Sequence, residues 1–212
     1  MDIRDKTCVV IGGGKVARRK LMPLLDAGAS VKIVSPQVKD EVSLLAQEGK
    51  IKWIEREYVE GDLEGSALAF VAVDDQKVAE RAAAEANRLK IPVNSADMPD
   101  SCSFTLPAYL ERGDLLVTVS TGGKCPALSK KLKEKLAQTI DDSYGEFLDI
   151  LGDARKMMID NGLSHDKCRD LLNNLIESDI LHHIREGSSS KAREFAAMSV
   201  AEAFSKTKAK GE

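Results

Sequence analysis

Residues 7–21 read TCVVIGGGKVARRKL, and this stretch decides the fold of the chain. An apolar run over residues 8–11 enters a glycine turn at residues 12–14, and apolar residues follow at helical spacing from Ala17. This order predicts a strand, a tight turn and a helix. In the pattern G-x-G-x-x-A, Gly12 permits the turn, Gly14 lets a pyrophosphate approach the backbone, and Ala17 lets the helix pack closely on the strand. The stretch therefore predicts a dinucleotide site at the start of the first helix.

Strands and helices continue to alternate over about the first hundred residues. Further strands are predicted over residues 30–35, 51–54, 67–73 and 91–94. One helix is predicted over residues 37–47, and an alanine-rich one follows Asp75 and ends at about residue 89. The run ALAFVAV at 67–73 is too apolar for a surface strand and indicates a central parallel one. We therefore predict an α/β fold with a Rossmann-like, doubly wound parallel sheet, whose ligand lies at the carboxyl ends of the strands.

The pattern changes after residue 100. Alternation at Cys102, Phe104 and Leu106, and again over residues 115–120, predicts an antiparallel hairpin across a turn at residues 112–114. Pro126 then marks the first turn of a helix, with three leucines predicted on its inner face: Leu128, Leu132 and Leu136.

Helical periodicity dominates beyond residue 139. One predicted face carries Phe147, Ile150 and Met158, and a last helix is predicted around residues 195–204 after a linker at 188–190. We therefore divide the chain into a nucleotide-binding domain over residues 1–100, a hairpin and helix connector over 101–139, and a small helical domain over 140–212.

Composition excludes several classes of protein. A formal net charge of −3 gives no reason to expect a nucleic acid partner, and 43% hydrophobic residues are ordinary for a globular protein. No apolar run approaches the length of a membrane span, and the N-terminus does not resemble a signal peptide. The four cysteines are scattered, which predicts neither a zinc site nor a disulfide framework. We expect a cytoplasmic protein with reduced thiols, no membrane partner and no bound metal.

The cofactor residues are predicted from the sheet's carboxyl edge. The acidic residue that usually follows the second strand of an NAD site is absent, and Ser35 and Pro36 stand there instead. No arginine follows to bind a 2′-phosphate, which mildly favours NAD over NADP. Asp74 and Asp75 end the fourth strand, where either a cofactor contact or a helix cap explains them equally well. The predicted cofactor-binding set is Gly12, Gly13, Gly14, Lys15, Val16, Ala17, Ser35, Pro36, Asp74 and Asp75.

Two further places are predicted to carry chemistry. Asp97 follows the fifth strand and is the best candidate for an acid or base near a nicotinamide ring, although a turn residue before Pro99 is an alternative. The loop of residues 120–124 precedes a helix, and its amides, hydroxyls and ammonium group would bind carboxylates. The candidate substrate-binding residues are Arg112, Ser120, Thr121, Gly122, Gly123 and Lys124. No tyrosine has a lysine four residues later, which disfavours a short-chain reductase.

Five stretches together resemble the precorrin-2 dehydrogenase family, which forms the N-terminal part of sirohaem synthases. They are VVIGGGKVARRK at 9–20, GASVKIVSP at 28–36, AFVAVDD at 69–75, VNSADMPDSCSFTLPA at 93–108 and RGDLLVTVSTGGKCPALSKKLKEKL at 112–136. The resemblance implies NAD-dependent oxidation of precorrin-2 to sirohydrochlorin, with the family's catalytic aspartate at Asp97. It also implies a homodimer with the hairpin region at the interface, and a tetrapyrrole held in a cleft between the nucleotide domain and the connector.

Two other functions remain open from the sequence. Some members of this family also insert iron into sirohydrochlorin, so a bifunctional dehydrogenase and ferrochelatase is the first alternative. A small NAD-sensing regulatory module without turnover is the second, although it leaves Asp97 and the loop of residues 120–124 unexplained.

Overall fold

The computed structural model describes residues 1–96 and 98–208 of the chain. The fold divides into two compact units, Met1–Leu106 and Pro107–Glu212. The finer division into nucleotide domain, connector and helical domain stays a prediction.

The first unit alternates strands and helices around one parallel sheet. Its strands are β1 (Thr7–Ile11), β2 (Ser30–Val34), β3 (Ile51–Ile54), β4 (Leu68–Val71) and β5 (Val93–Ser95). Its helices are α1 (Lys15–Asp26), α2 (Asp40–Gln47) and α3 (Gln76–Arg88). The strand order is β3-β2-β1-β4-β5 and every neighbouring pair is parallel. The α/β class with a doubly wound parallel sheet is therefore confirmed.

The central strands are buried on both faces, as their continuous apolar runs require. Cys8 and Val10 on β1 pack into one apolar cluster, whereas Val9 and Ile11 pack into a second cluster on the opposite face. The strand register aligns Ile11 with Val34 on one side and with Val71 on the other. The carboxyl ends of these strands consequently form one edge of the sheet, from which the following loops leave.

The second unit is a hairpin followed by helices. Strands β6 (Ala108–Arg112) and β7 (Leu115–Val119) pair antiparallel. The helices are α4 (Pro126–Thr139), α5 (Ser143–Asp160), α6 (His165–Ile176), α7 (Ile180–Arg185) and α8 (Ser189–Lys208). Helices α5–α8 share an apolar core that includes Phe147, Ile150 and Met158, which confirms the predicted inner face.

The hairpin begins later than its sequence pattern predicts. Residues 102–106 form no strand, because their polar groups bond to the edge strand β5 of the first unit. The Ser103 backbone N–H donates to the Val93 carbonyl at 2.9 Å, and its Oγ accepts from the Val93 N–H at 2.7 Å. The Phe104 ring packs edge-on against Phe70 at a centroid distance of 5.6 Å. The apolar residues Cys102 and Phe104 thus reflect packing on the sheet, whereas Leu106 is 49% exposed.

The inner face predicted for α4 is wrong. Leu128 is 47% exposed and Leu132 is 38% exposed, whereas the buried residue of this helix is Ser129. The Ser129 hydroxyl lies 3.0 Å from the Thr121 hydroxyl, so the side that carries Ser129 faces its own unit. Leu128 and Leu132 therefore lie on the exposed side of the helix, whereas Leu136, the third leucine of the predicted face, is half-buried.

Three boundaries also differ from the sequence prediction. Helix α2 begins at Asp40 and not at residue 37, because the Gln37 carbonyl accepts from the Ser35 hydroxyl and the Lys39 N–H donates to the Gly13 carbonyl of the glycine turn. The linker predicted at residues 188–190 is shorter, since Ser189 already begins α8. Strand β5 covers Val93–Ser95, two residues later than its predicted start.

Candidate functional site: a nucleotide cavity at the carboxyl edge of the sheet

The glycine turn after β1 is built by close backbone contacts. Gly12 has a φ of 110°, and a Cβ placed on it would lie 2.1 Å from the Ala72 carbonyl oxygen. A Cβ on Gly13 would lie 2.0 Å from the Gln37 carbonyl oxygen. The Gly12 N–H also donates to the Val34 carbonyl at 2.9 Å. Only glycine fits at these two positions, because three loops of the same sheet edge meet there.

Gly14 differs from its two neighbours. A Cβ on Gly14 would meet no protein atom within 4 Å, so this position opens into free space. It is the N-cap of α1, where no side chain caps the helix and no acidic residue occupies the first turn. The first N–H groups of a helix lack internal acceptors and carry the positive end of its dipole. This glycine cradle fits the pyrophosphate of a dinucleotide.

A cavity of about 460 Å³ lies over this turn, and we call it the nucleotide cavity. Most of the predicted cofactor residues line it, namely Gly12, Gly13, Gly14, Lys15, Val16, Ser35, Pro36, Asp74 and Asp75. Ala17 does not line the cavity, because it is fully buried in the core between α1 and the sheet. That position matches the packing role expected from the pattern.

Two of the predicted cofactor residues, Ser35 and Asp75, have side chains that are already hydrogen-bonded within the protein. The Ser35 hydroxyl donates to the Gln37 carbonyl at 2.6 Å, which leaves only its oxygen lone pairs for a ligand. Asp75 caps α3, with its Oδ1 accepting from the Lys77 and Val78 N–H groups at 2.8 and 3.3 Å. Asp74 is therefore the better placed of the two aspartates for a ligand contact.

Residues of the crossover after β3 also line the nucleotide cavity, although no motif in the sequence predicts them. Glu57 and Tyr58 both contribute to the wall. The Tyr58 hydroxyl donates to the buried Glu85 carboxylate, whose other oxygen accepts from the Gly61 N–H at 2.8 Å. Burial, and then the Glu85 carboxylate, raise the pKa of Tyr58 well above its usual value. Tyr58 is thus a neutral side chain held in one place, and we assign it to the wall of the cavity and not to acid catalysis.

An ion pair holds this crossover in place. Both terminal nitrogens of Arg56 bond to the Asp62 carboxylate at 2.7 Å, and Asp62 also accepts from the Val59 N–H at 2.9 Å. Burial alone would raise the pKa of Asp62, but the bonds from Arg56 and Val59 outweigh it and lower the pKa below its usual value. Because Arg56 and Asp62 are close in sequence, this pair fixes the shape of the loop itself, whereas the long-range bond from Tyr58 to Glu85 holds the loop against α3.

The predicted catalytic residue Asp97 lies outside the described residues. Its neighbour Ala96 donates its N–H to the Val71 carbonyl at 2.9 Å. Val71 is aligned with Ile11, the residue directly before the glycine turn. Ala96 therefore lies at the same sheet edge that carries the nucleotide cavity.

The predicted substrate residues lie in the second unit. Ser120 and Thr121 begin an exposed turn that leads into α4, in which Gly122 and Gly123 have positive φ values of 60° and 78°. The Ser120 hydroxyl accepts from the Gly122 N–H at 3.2 Å. Lys124 is exposed, with its backbone N–H bonded to the Thr121 carbonyl at 3.1 Å.

Arg112 is bound within its own unit. Its Nε lies 3.0 Å from the Asp142 carboxylate and donates to the Ile140 carbonyl at 3.2 Å, and its side chain is only 21% exposed. These contacts attach the hairpin to the connection between α4 and α5, so the arginine has a structural role in the described chain.

The described residues, 1–96 and 98–208, contain neither a candidate metal site nor a candidate membrane-spanning helix. No group of three or more histidine, cysteine, aspartate or glutamate side chains is arranged to hold a metal ion in this part of the chain. In the same residues, no helix combines the length and the apolar character needed to cross a membrane.

Comparisons with known proteins agree with this geometry. A family model described as "Putative NAD(P)-binding" matches residues 1–108. A sirohaem synthase of Pseudomonas paraeruginosa is 34% identical over 190 residues, which cover 90% of this chain and 41% of that protein. A sirohaem synthase of Methylococcus capsulatus is 38% identical over 156 residues, covering 74% of this chain and 33% of that protein. The chain thus spans less than half the length of these curated relatives.

A solved structure extends the similarity to the whole fold. SirC, a precorrin-2 dehydrogenase, superposes with a TM-score of 0.76 and 25% sequence identity, over 93% of this chain and 97% of that one. The match covers the second unit as well as the nucleotide-binding unit. The chain therefore belongs to the NAD(P)-binding family whose model it matches, and its resemblance to the precorrin-2 dehydrogenase family is confirmed.

Proposed function

We propose that this chain is an NAD-dependent dehydrogenase that oxidises precorrin-2 to sirohydrochlorin in sirohaem biosynthesis. The observation that carries the proposal is the glycine cradle of the nucleotide cavity, in a chain similar to SirC along nearly its whole length. The relatives named sirohaem synthase support the same pathway. The free cysteines fit a reducing, cytoplasmic location.

The chain's own residues bind and orient the cofactor. NAD supplies a nicotinamide ring that accepts a hydride. The first N–H groups of α1 bind its pyrophosphate, Gly14 gives the phosphates room, and Asp74 remains available for a ribose hydroxyl. The loop that follows β5 leaves the same edge of the sheet, and its residues would border the nicotinamide of a bound cofactor.

Asp97 is the proposed base. Oxidation of precorrin-2 removes two electrons and two hydrogens, of which one leaves as hydride to NAD and the other as a proton. A carboxylate takes that proton well when it stands beside the ring, and Asp97 follows the strand that ends at the cofactor edge. Positioning of the two reactants supplies most of the remaining rate enhancement.

The loop of residues 120–124 is the proposed anion site for the substrate's carboxylates. It offers the exposed ammonium group of Lys124 and the hydroxyl proton of Ser120, whose oxygen accepts from the Gly122 N–H. Arg112 contributes indirectly, because its bonds to Asp142 and Ile140 fix the hairpin that carries the loop.

Turnover of precorrin-2 by paired variants tests the dehydrogenase proposal. We expect Asp97→Asn to bind NAD normally and to lower kcat by about 100-fold or more, the usual size of a lost general base. Asp100→Asn, which changes an exposed carboxylate three residues later, is the matched control and should leave kcat unchanged. Equal rates for both variants would remove Asp97 from the mechanism, and NAD binding without turnover by the unmodified protein would refute the function.

We also propose that the protein is a homodimer. The outward face of the hairpin carries Tyr109 and Leu116, which are 41% and 57% exposed, and α4 adds Leu128 and Leu132. Large exposed apolar residues grouped on neighbouring elements are typical of a protein interface. A second copy of the chain is the proposed partner, as the resemblance to the family implies.

Molar mass in solution tests the dimer. Leu116→Glu places a charge on the proposed interface and should shift the protein toward the monomer in light scattering. Leu44→Glu changes an equally exposed leucine of the first unit, which is 55% exposed, and should leave the mass unchanged. A monomeric unmodified protein would refute the proposal.

A further inference from the structure

A second cavity lies at the opposite edge of the same sheet. It has a volume of about 680 Å³ and is formed entirely within the first unit. Leu68 is the first residue of β4, and Ile91 and Pro92 directly precede β5, so the cavity lies at the amino ends of these strands. We call it the amino-edge cavity. It shares no lining residue with the nucleotide cavity.

The walls of the amino-edge cavity are mostly apolar. They include Leu24 from α1, Phe70 from β4, and Phe104 and Leu106 from the segment that crosses the sheet. We call residues 102–106 the crossing segment. It covers only part of this sheet face, because its bonds to β5 hold it along one side. The volume and the apolar lining are those of a small-molecule site.

The charged groups of the cavity are cationic. Lys20 and Lys90 both line it, and no acidic side chain is among the described residues of its wall. Lys90 is exposed at the rim, held at a φ of 57° directly after α3 ends. A ligand that enters this cavity meets two ammonium groups and an apolar floor.

Lys20 lacks a compensating charge. Its Nζ donates to Asn94 Oδ1 at 2.9 Å and lies 5.3 Å from the centre of the Phe70 ring. Within the described residues no carboxylate forms an ion pair with it, whereas the neighbouring Arg18 pairs with Glu41. Burial, with a smaller effect of Arg19, lowers the pKa of Lys20. A half-buried ammonium group with only neutral partners gains most from an anion placed beside it.

Asn94 holds this ammonium group in a fixed place. Its Nδ2 donates to the Phe104 carbonyl at 3.0 Å while its Oδ1 accepts from Lys20. Asn94 therefore links the Lys20 ammonium group to the Phe104 backbone, which belongs to one wall of the cavity. The cation is preorganised, which lowers the cost of binding a ligand.

We propose that the amino-edge cavity binds a small amphipathic carboxylate, with the acid group at Lys20 and the apolar body against Phe70, Phe104 and Leu24. The ligand class is an aliphatic or aromatic acid of roughly ten carbons, which this volume accommodates. Because the two cavities lie at opposite edges of the sheet, the acid and the nucleotide bind at the same time.

Calorimetric titration of the full chain with decanoate, and with 1-decanol as the uncharged analogue, tests this site. We expect saturable binding of decanoate with a dissociation constant below about 1 mM, and binding of 1-decanol about tenfold weaker. 2-Naphthoate distinguishes an aromatic from an aliphatic ligand, and the tighter of the two acids identifies the class. The absence of saturable binding by either acid would overturn the proposal.

Three variants assign the binding to the cavity. Lys20→Met keeps the aliphatic stem and should remove the preference for the acid over the alcohol, whereas Lys6→Met, a change at an exposed lysine outside the cavity, should keep it. Ile3→Trp fills the cavity and should weaken both ligands, with NAD affinity unchanged as the test of folding. A preference retained in Lys20→Met, or decanoate binding unaffected by Ile3→Trp, would overturn the proposal.

Discussion

The nucleotide cavity and the amino-edge cavity lie on one sheet but are built differently. The first is defined by backbone: a glycine turn, the start of a helix and the ends of three parallel strands. The second is defined by side chains that α1, β4, the loop before β5 and the crossing segment bring together. A site made from backbone requires glycine at fixed positions, whereas a site made from side chains accepts many sequences. The sequence therefore predicts the nucleotide cavity from a motif, whereas no motif predicts the amino-edge cavity.

The largest expected effect comes from the backbone of the nucleotide cavity. Gly12→Ala would place a Cβ 2.1 Å from the Ala72 carbonyl at a φ of 110°. We expect the free energy of unfolding to fall by about 3 kcal/mol or more, with loss of NAD binding. Chemical denaturation measures the first effect and calorimetry the second. A variant of normal stability would show that the turn is not as constrained as its contacts indicate.

Gly14→Ala separates binding from folding. Its Cβ would meet no protein atom within 4 Å, and the residue has an ordinary φ of −80°. We expect unchanged thermal stability but an NAD dissociation constant raised about tenfold, because the methyl group occupies the space of the phosphates. Gly152→Ala is the matched control, since it alters a helical glycine with open space in the second unit. Unchanged affinity in Gly14→Ala would place the pyrophosphate elsewhere.

The Arg56–Asp62 pair sharpens the comparison, because it fixes the shape of the loop that brings Glu57 and Tyr58 into the wall of the nucleotide cavity. The folded-state pKa of Asp62 is lowered, so its stabilisation is complete above the unfolded pKa near 3.8 and is lost as the pH falls toward the lowered value. We expect Asp62→Asn to cost about 1–2 kcal/mol at neutral pH. Its unfolding free energy should also fall less steeply than that of the unmodified protein below about pH 4.

Asp40→Asn is the control for this pH dependence, because it changes an exposed aspartate in the first turn of α2. Its acid unfolding curve should keep the slope of the unmodified protein. Parallel acid unfolding curves for the unmodified protein and Asp62→Asn would contradict the role of the pair.

The smallest effect is expected at the rim of the amino-edge cavity. Lys90 has a left-handed backbone, so Lys90→Gly should relieve strain and raise the free energy of unfolding by about 0.5 kcal/mol. It also removes one of two cations, and decanoate should bind about twofold more weakly. Asp5→Gly relieves a similar φ of 58° outside the cavity and should stabilise the fold without changing decanoate affinity. Equal decanoate affinity in Lys90→Gly and Asp5→Gly would show that Lys90 does not contribute to binding of the acid group.

The same contrast explains what the sequence predicted. The strand, turn and helix at residues 7–26 follow from local chemistry, and so does the parallel sheet. Most of the predicted cofactor residues line the cavity, but Glu57 and Tyr58 are not predicted, because the long-range bond from Tyr58 to Glu85 that holds their segment leaves no local pattern in the sequence. The predicted inner face of α4 is wrong because helical spacing shows that leucines share a face but not which way that face points. Leu128 and Leu132 are exposed, so nothing within the chain requires them to be apolar.

The most direct test of the central claim is the spectrum of a reaction of the purified protein with precorrin-2 and NAD. The account predicts that the absorbance of NADH and that of sirohydrochlorin rise together in equal amounts, and that Gly14→Ala slows both at subsaturating NAD. Binding of NAD without either product would contradict it, and would favour a protein that senses the nucleotide and does not use it.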